Sequence, residues 1–274
     1  MSRGLGDVYK RQALMSVCMK EPYVICDPET FDDETELFFD EEDAKKEAER
    51  LAGEKIPVTV IKLENSQMLP FYTSLYTMGI NALLVCEEDE KTMVQLTDFV
   101  RRKKNEEIPE GKVWVENPAL HLTALYFLQE ARRKPAQEMS EETKGMQEEL
   151  LAHFTQGRYI FPIRKDGKGV PLARLGNGDT YQPIFTDILE FQKFNKDDQL
   201  KGVVVDAAKI PQVLSSEAKG VLLNLMGINL PLPIRRKTPA GAAGAAASGQ
   251  APADTASPKE NGTEEKAPAE EKQQ

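Results

Sequence analysis

The amino-acid sequence predicts an α+β protein made of two related modules, each a mainly antiparallel or mixed sheet with helices packed on it. The chain has 274 residues, enough for two domains of ordinary size. Amphipathic helical segments and short strands bounded by glycine-containing turns occur in both halves. The four residues Met78–Asn81 also recur letter for letter as Met226–Asn229.

The two ends of the chain differ from its interior. Residues 2–12 show no hydrophobic periodicity and resemble a translated sequencing adapter, so we expect residues 1–12 to be non-native. From Arg235 onward, alanine, glycine, proline, serine, glutamate and lysine dominate, and no aromatic or large aliphatic residue follows Ile234. Such a segment cannot bury enough apolar surface to fold, which predicts a disordered tail over 235–274.

Composition restricts the classes of partner. The chain has 45 acidic and 35 basic residues and a net charge of −10, so a nucleic-acid backbone would be repelled. No apolar run reaches the roughly 18 residues of a membrane helix, and the N-terminus lacks the apolar core of a secretory signal. Cys18, Cys26 and Cys86 lack CxxC spacing and are interpreted as reduced thiols. We therefore expect a cytoplasmic protein with no nucleic-acid or membrane partner.

The first module is expected over residues 13–104, followed by a linker over 105–116. Glycine stop signals and hydrophobic periodicity predict its elements. These are a strand at Glu36–Phe39, a helix at Asp40–Ala52, a strand at Val58–Leu63, a helix at Ser66–Met78 and a buried strand at Ala82–Cys86. Met93, Val94, Leu96 and Val100 are expected to continue its core.

The second module is expected over 117–234 and begins with a helix pair. Asn117 and Pro118 are typical of a helix start, and the first helix should end near Arg133. Ser140 should cap the second helix, and Gly157 should end it.

A sheet should follow the helix pair. The turns at Asp166–Gly167 and Gly176–Gly178 predict a three-stranded antiparallel meander. Its strands would be Tyr159–Arg164, Val170–Leu175 and Thr180–Thr186. Beyond them we expect a short helix capped by Asp187, a buried strand at Val203–Val205, a turn or short helix at Ile210–Leu214, and segments at Val221–Leu225 and Ile228–Leu232.

Several short segments of the second module resemble the SseB family. They are Asn117–Leu120, Phe154–Gly157 before Tyr159–Pro162, Tyr181–Asp187 and Gly227–Asn229. Together they span nearly all of residues 117–234, although none is specific alone. The family is named for an enhanced-serine-sensitivity phenotype and has no settled biochemical activity, so the resemblance implies only a loose link to serine sensitivity.

The first module is interpreted as a diverged and truncated copy of the second. Tyr23–Cys26 is aligned with Tyr159–Pro162, and Met78–Asn81 with Met226–Asn229. In this alignment the first copy lacks the helix pair. The alternative is a chance match of four residues.

Candidate site residues cluster at one predicted strand end. Tyr181, Phe185, Thr186 and Asp187 bring aromatic, hydroxyl and carboxylate groups together, as a binding surface for a small molecule or peptide requires. Core packing of Phe185 is the alternative. Trp114 lies at the module junction and is expected to anchor the interface between the modules.

We expect no catalytic residue, metal site or cofactor. His121 and His153 lie on predicted helices without a neighbouring cysteine or carboxylates at ligand spacing. The acidic run Asp27–Asp43 lacks the glycine and ligand alternation of a calcium loop, so it is interpreted as a solvated loop and helix start. Ser215 has no nucleophile elbow around it and is assigned to capping.

These observations favour a non-enzymatic interaction or regulatory protein with a protein partner of unknown identity. The alternative is a small-molecule-binding protein or an enzyme acting on an amino acid or a sulfur metabolite. A third hypothesis is an assembly role, in which the two modules imitate a dimer and a homo-oligomer can form.

Overall fold

The computed structural model of the chain describes residues 11–88, 90–101, 113–133 and 139–235. Helices pack there on antiparallel and mixed sheets, which confirms the α+β class. Most of the expected linker 105–116 and of the expected tail 235–274 lies outside the described residues, as do residues 1–10. Arg11 and Gln12, which we assigned to the non-native segment, lie in the first strand and pair with Leu63 and Lys62.

The first half of the fold is a six-stranded sheet with two helices. Its elements are β1 (Arg11–Ser16), β2 (Ile25–Cys26), β3 (Asp33–Phe38), α1 (Glu41–Gly53), β4 (Val58–Leu63), α2 (Asn65–Thr77), β5 (Ala82–Glu87) and β6 (Glu90–Gln95). The strand order is β4-β1-β3-β5-β6, with β2 beside β3. Strands β3 and β5 are parallel, and the other neighbours are antiparallel.

Two long helices follow, α3 (Pro118–Arg133) and α4 (Glu141–Gln156), which confirms the predicted helix pair. Ser140 caps α4, because its Oγ accepts a hydrogen bond from the Thr143 amide at 3.2 Å. Gly79 has φ of +89°, and a Cβ at this position would lie 2.7 Å from the Pro118 carbonyl oxygen. Glycine therefore lets the end of α2 approach the start of α3.

The second half contains the remaining elements. These are β7 (Arg158–Arg164), β8 (Ala173–Arg174), β9 (Thr180–Ile184), α5 (Ile188–Phe194), β10 (Leu200–Asp206), α6 (Ile210–Val213), β11 (Gly220–Leu223) and β12 (Leu230–Pro233). Strand β10 pairs with β7, and the other strands follow the order β12-β11-β9-β8. A single antiparallel bridge between Ile160 and Phe185 joins β7 to the end of β9. None of the helices in the described ranges has the length and apolar character that crossing a bilayer requires.

Two strand predictions for this half are wrong. The three-stranded meander does not form, because β7 pairs with β10 and β8 is only two residues long. Pro171 lacks the amide that a longer β8 would need to donate. Strand β10 is not buried: it lies at a sheet edge, and Val203 and Val204 are exposed. A short apolar run does not by itself reveal whether a strand is central or at an edge.

The two halves share one order of elements and one pattern of strand pairing. The order β4-β1-β3-β5-β6 in the first half corresponds to β10-β7-β9-β11-β12 in the second, where the Ile160–Phe185 bridge joins β7 to β9. In both halves the central pair is parallel: β3 with β5, and β9 with β11. The alignment predicted from the sequence needs correction. Tyr23–Cys26 includes β2, whereas Tyr159–Pro162 lies in β7, the counterpart of β1. Met78–Asn81 precedes β5, but Met226–Asn229 follows β11, so this four-residue match does not mark equivalent positions.

The main hydrophobic core draws on both halves and on α3. Leu75 and Leu83 come from the first half, Leu125 from α3, and Tyr159 and Val221 from the second half, and all are buried. The described residues accordingly form one compact unit. Neither half buries its whole apolar face without the other.

Candidate functional site

The predicted binding surface lies in the interior of the protein. Tyr181 is 6% exposed, and Phe185, Thr186 and Asp187 are fully buried. The Phe185 ring packs against Phe191, with ring centroids 5.6 Å apart. Phe185 is therefore a core residue, which was the alternative interpretation. These four residues do not form a surface because the strand end turns inward where β9 meets β7.

Asp187 caps α5, as its position before an amphipathic segment predicts. Its Oδ1 accepts hydrogen bonds from the amides of Leu189 at 2.8 Å and Glu190 at 3.0 Å. Its Oδ2 accepts a hydrogen bond from Thr186 Oγ1 at 2.8 Å. Burial raises the pKa of Asp187, and these hydrogen bonds oppose the shift. Both oxygens are therefore engaged in structural contacts.

The Thr186 hydroxyl connects Asp187 to two other elements. It accepts a hydrogen bond from Asn224 Nδ2 at 2.9 Å, while the Thr186 amide donates to Asn224 Oδ1 at 3.0 Å. His121 Nδ1, on α3, lies 3.4 Å from the same hydroxyl. Thr186 has one hydroxyl proton and donates it to Asp187, so His121 Nδ1 must be the donor in this contact.

This assignment fixes the tautomer of His121. With the proton on Nδ1, the Nε2 atom carries a free lone pair, and Nε2 is buried without a hydrogen-bond partner. Burial and the nearby Lys193 lower the pKa of His121 to about 3, so its imidazole is neutral at physiological pH. His121 therefore presents an unused acceptor to the interior.

Two buried glutamates lie beside this imidazole. Glu21 comes from the loop between β1 and β2, and Glu190 from α5; one ligand atom of each and one of His121 lie within 4.8 Å of one another. Lys193 Nζ lies 3.0 Å from Glu21 Oε1 and 2.5 Å from Glu190 Oε1. Glu190 Oε2 is buried without a hydrogen-bond partner. Gly227 makes room for Glu21, because a Cβ at Gly227 would overlap Glu21 Oε1.

The charges of this cluster are strongly coupled. Burial, reinforced by the negative charge of Glu190, raises the pKa of Glu21 to about 8. Burial also raises the pKa of Glu190, although Lys193 opposes the shift. Burial lowers the pKa of Lys193, but the two carboxylates outweigh it and raise that pKa. One lysine thus faces two carboxylates in a poorly solvated space.

Sequence reasoning missed Glu21, Glu190 and Lys193. Glu190 and Lys193 are spaced i, i+3 on a predicted helix, a signal that could have marked them as neighbours. Glu21 lies in a loop and reaches the cluster only through the packing of the two halves, which no local pattern reports. We expected no role for His121, and the structure places it in this cluster. His153 is half-buried and lies beside the exposed Glu149 instead.

An apolar cleft of about 210 Å³ opens next to the start of α5. Trp114 and Ile188, both among its lining residues, are 40% and 42% exposed. The lining residues are Thr73, Tyr76, Thr77, Val100, Arg101, Trp114, Val115, Glu116, Asp187, Ile188 and Leu189. Trp114, which we predicted as an anchor between modules, therefore presents part of its ring to this cleft.

Comparisons with known proteins give no family. No family model matches the chain, and no curated protein matches it. The solved structure of Anabaena Tic22 (protein transport) is similar over 75% of this chain and 81% of that chain, with 12% sequence identity and a TM-score of 0.21. A likeness at this score carries no argument about fold or function, and the resemblance to the SseB family stays a prediction.

Proposed function

We propose that this chain is a non-enzymatic interaction protein that binds an apolar side chain of a basic partner protein in the cleft beside α5. The observation that supports it best is the exposure of Trp114 and Ile188 on the walls of one apolar cleft. Partly exposed aromatic groups at a concave apolar surface are typical of binding hot spots. The net charge of −10 favours a basic partner.

The position of the polar cluster also favours binding over catalysis. Glu21, His121 and Glu190 are buried, and Asp187 is occupied with capping α5. A general acid or base has to reach the proton that it transfers to or from a substrate. Glu21, His121 and Glu190 do not line the cleft, and Asp187, which does, is engaged in capping α5.

Three further expectations belong to this proposal. The chain is an SseB-like protein, supported by the segments at Asn117–Leu120 and Gly227–Asn229. Its halves derive from one repeated unit, supported by their common strand pairing. It works in the cytoplasm, supported by three cysteines without disulfide bonds.

The experiment compares cleft variants with a matched surface variant. Trp114→Ala and Ile188→Ala should each weaken binding of a captured partner by about 30-fold, the loss that corresponds to a hot spot. Leu151→Ala is the control, because Leu151 on α4 is 46% exposed, close to the 42% of Ile188. Affinity should also fall as salt rises, since a basic partner is attracted electrostatically. Equal affinity for all three variants would contradict the proposal.

A small ligand is the second candidate. The cleft of about 210 Å³ is smaller than the roughly 300 Å³ at which drug-sized pockets begin, but its size suits an amino acid or a small sulfur metabolite. A thermal-shift screen of the full chain against both classes tests this. A shift that Trp114→Ala abolishes and Leu151→Ala retains would favour the small ligand over the protein partner.

A further inference from the structure

We propose that Glu21, His121 and Glu190 bind one divalent transition-metal ion, and that Zn²⁺ suits this set of ligands. Each residue offers one ligand atom, and these atoms lie within 4.8 Å of one another. All three side chains are almost fully buried. One imidazole nitrogen with two carboxylates is typical of transition-metal sites, whereas Mg²⁺ and Ca²⁺ prefer oxygen ligands alone.

Two unpartnered atoms point to an ion. His121 Nε2 and Glu190 Oε2 are buried and accept no hydrogen bond from any described residue. Buried polar atoms of this kind are rare because leaving them unpaired costs free energy. A metal ion coordinated by both atoms would satisfy them at once.

The surroundings of His121 match those of a metal ligand. Its Nδ1 atom faces Thr186 Oγ1 at 3.4 Å and Asp187 Oδ2 at 4.0 Å. Metal-binding histidines commonly donate the proton of their other ring nitrogen to such an oxygen, which fixes the ring and leaves the metal-binding nitrogen free. Asp187 and Thr186 therefore act as positioning residues for Nε2.

Lys193 supplies the positive charge that the two carboxylates face. Its Nζ contacts Glu21 Oε1 and Glu190 Oε1, and its side chain is 35% exposed, so the ammonium group can withdraw into solvent. Two ligand atoms of a tetrahedral zinc ion are about 3.4 Å apart. From separations of up to 4.8 Å, a contraction of at most about 1.4 Å would reach this geometry, as Lys193 leaves and the ion replaces its charge.

The test is a calorimetric titration of the full chain with zinc chloride. Cys18→Ser and Cys26→Ser form the common background, because both thiols are exposed and could bind zinc on their own. We expect one ion per chain. Glu190→Gln should weaken binding by more than about 100-fold, since it removes a ligand from the set. Lys193→Met should tighten binding by about tenfold, since it removes the competing cation.

The control is His153→Ala, because His153 is the other histidine of the chain and pairs with Glu149 at the surface. It should bind zinc as the background protein does. Cobalt(II) gives a second readout. In the background protein its visible spectrum should show the bands of a low-symmetry site, with no thiolate charge-transfer band. These bands should be absent in Glu190→Gln.

Several outcomes would overturn the inference. They are the absence of zinc binding, equal affinity in the background protein and Glu190→Gln, or loss of binding on His153→Ala. If Glu190→Gln does not fold, Lys193→Met decides: tighter binding supports the site, and unchanged or weaker binding refutes it. Partner binding through Trp114 is measured separately, so the failure of one proposal leaves the other standing.

Discussion

Glu36 and Lys91 show how a single side chain can depend on one partner across a sheet. The Glu36 side chain is 3% exposed in β3, and Lys91 Nζ on β6 lies 2.9 Å from its Oε1. The acidic run Asp27–Asp43 is therefore only partly a solvated loop. Burial raises the pKa of Glu36, and the hydrogen bond and charge of Lys91 oppose that shift.

Removal of Lys91 should destabilise the protein in a pH-dependent way. In Lys91→Met the pKa of Glu36 rises further, because burial is no longer opposed. At neutral pH the free energy of unfolding should fall by about 1–2 kcal/mol, a modest value because Lys91 is half exposed. As pH falls through the pKa of Glu36 in the wild type, the carboxylate is protonated in both proteins and the difference should vanish.

Urea unfolding at several pH values measures this difference. Lys144→Met is the matched control: the side chains of Lys91 and Lys144 are both 52% exposed, but the partner of Lys144, Glu141, is 90% exposed. We expect a change of only a few tenths of a kcal/mol in the control. A pH-independent loss in Lys91→Met would show that the lysine stabilises by packing alone.

At the scale of residues, the sequence around a position predicts helix caps, because a cap depends only on its neighbours along the chain. Asp187 was recognisable as a cap because it precedes an amphipathic segment, and Ser140 for the same reason. The buried carboxylates of Glu21 and Glu36 were not recognisable, since their burial depends on strands and loops distant in sequence. Thr186 was singled out for its hydroxyl, but its partner Asn224 lies on another element.

At the scale of elements, α3 organises the protein. Gln129 on α3 holds the segment before β2: its Oε1 accepts from the Val24 amide at 3.0 Å, and its Nε2 donates to the Val24 carbonyl at 2.9 Å. Further along, the Arg132 guanidinium donates to the Cys18 and Ile228 carbonyls. One helix therefore contacts backbone from both halves of the chain.

The Gln129 contact should control the local stability of this segment. Gln129→Leu removes both hydrogen bonds while retaining most of the side-chain volume, so the Val24 amide should exchange with solvent faster, by about tenfold for each 1.4 kcal/mol lost. Hydrogen exchange with mass spectrometry on peptides covering Met19–Cys26 measures this. Gln147→Leu on the exposed face of α4 should leave those peptides unchanged. Equal protection in both variants would mean that the segment is held by packing alone.

Elements were predicted well where they are long or bounded by strong stop signals. Helices α1 and α2 agree with the predicted bounds within one residue, and β4 agrees at both ends. Pairing was less predictable: turn glycines place a chain reversal but do not determine which strand becomes the neighbour. That is why β7 was assigned to a meander and β10 to the interior.

At the scale of the whole molecule, two halves that have the same pattern of strand pairing enclose a shared core. The sequence match at Met78–Asn81 suggested the repeat but aligned it at positions that the topology does not equate. Leu75, Leu125 and Val221 belong to a single buried cluster, which takes side chains from the first half, from α3 and α4, and from the second half. The polar cluster also joins the halves, through Glu21 and Lys193.

This shared interior predicts that the two halves unfold together. Differential scanning calorimetry of the full chain tests the claim directly, because a two-state transition gives equal calorimetric and van't Hoff enthalpies. We expect a single peak in which the two enthalpies agree. Two peaks, or a calorimetric enthalpy about twice the van't Hoff value, would mean that the halves are independent modules and that the core around α3 does not hold them together.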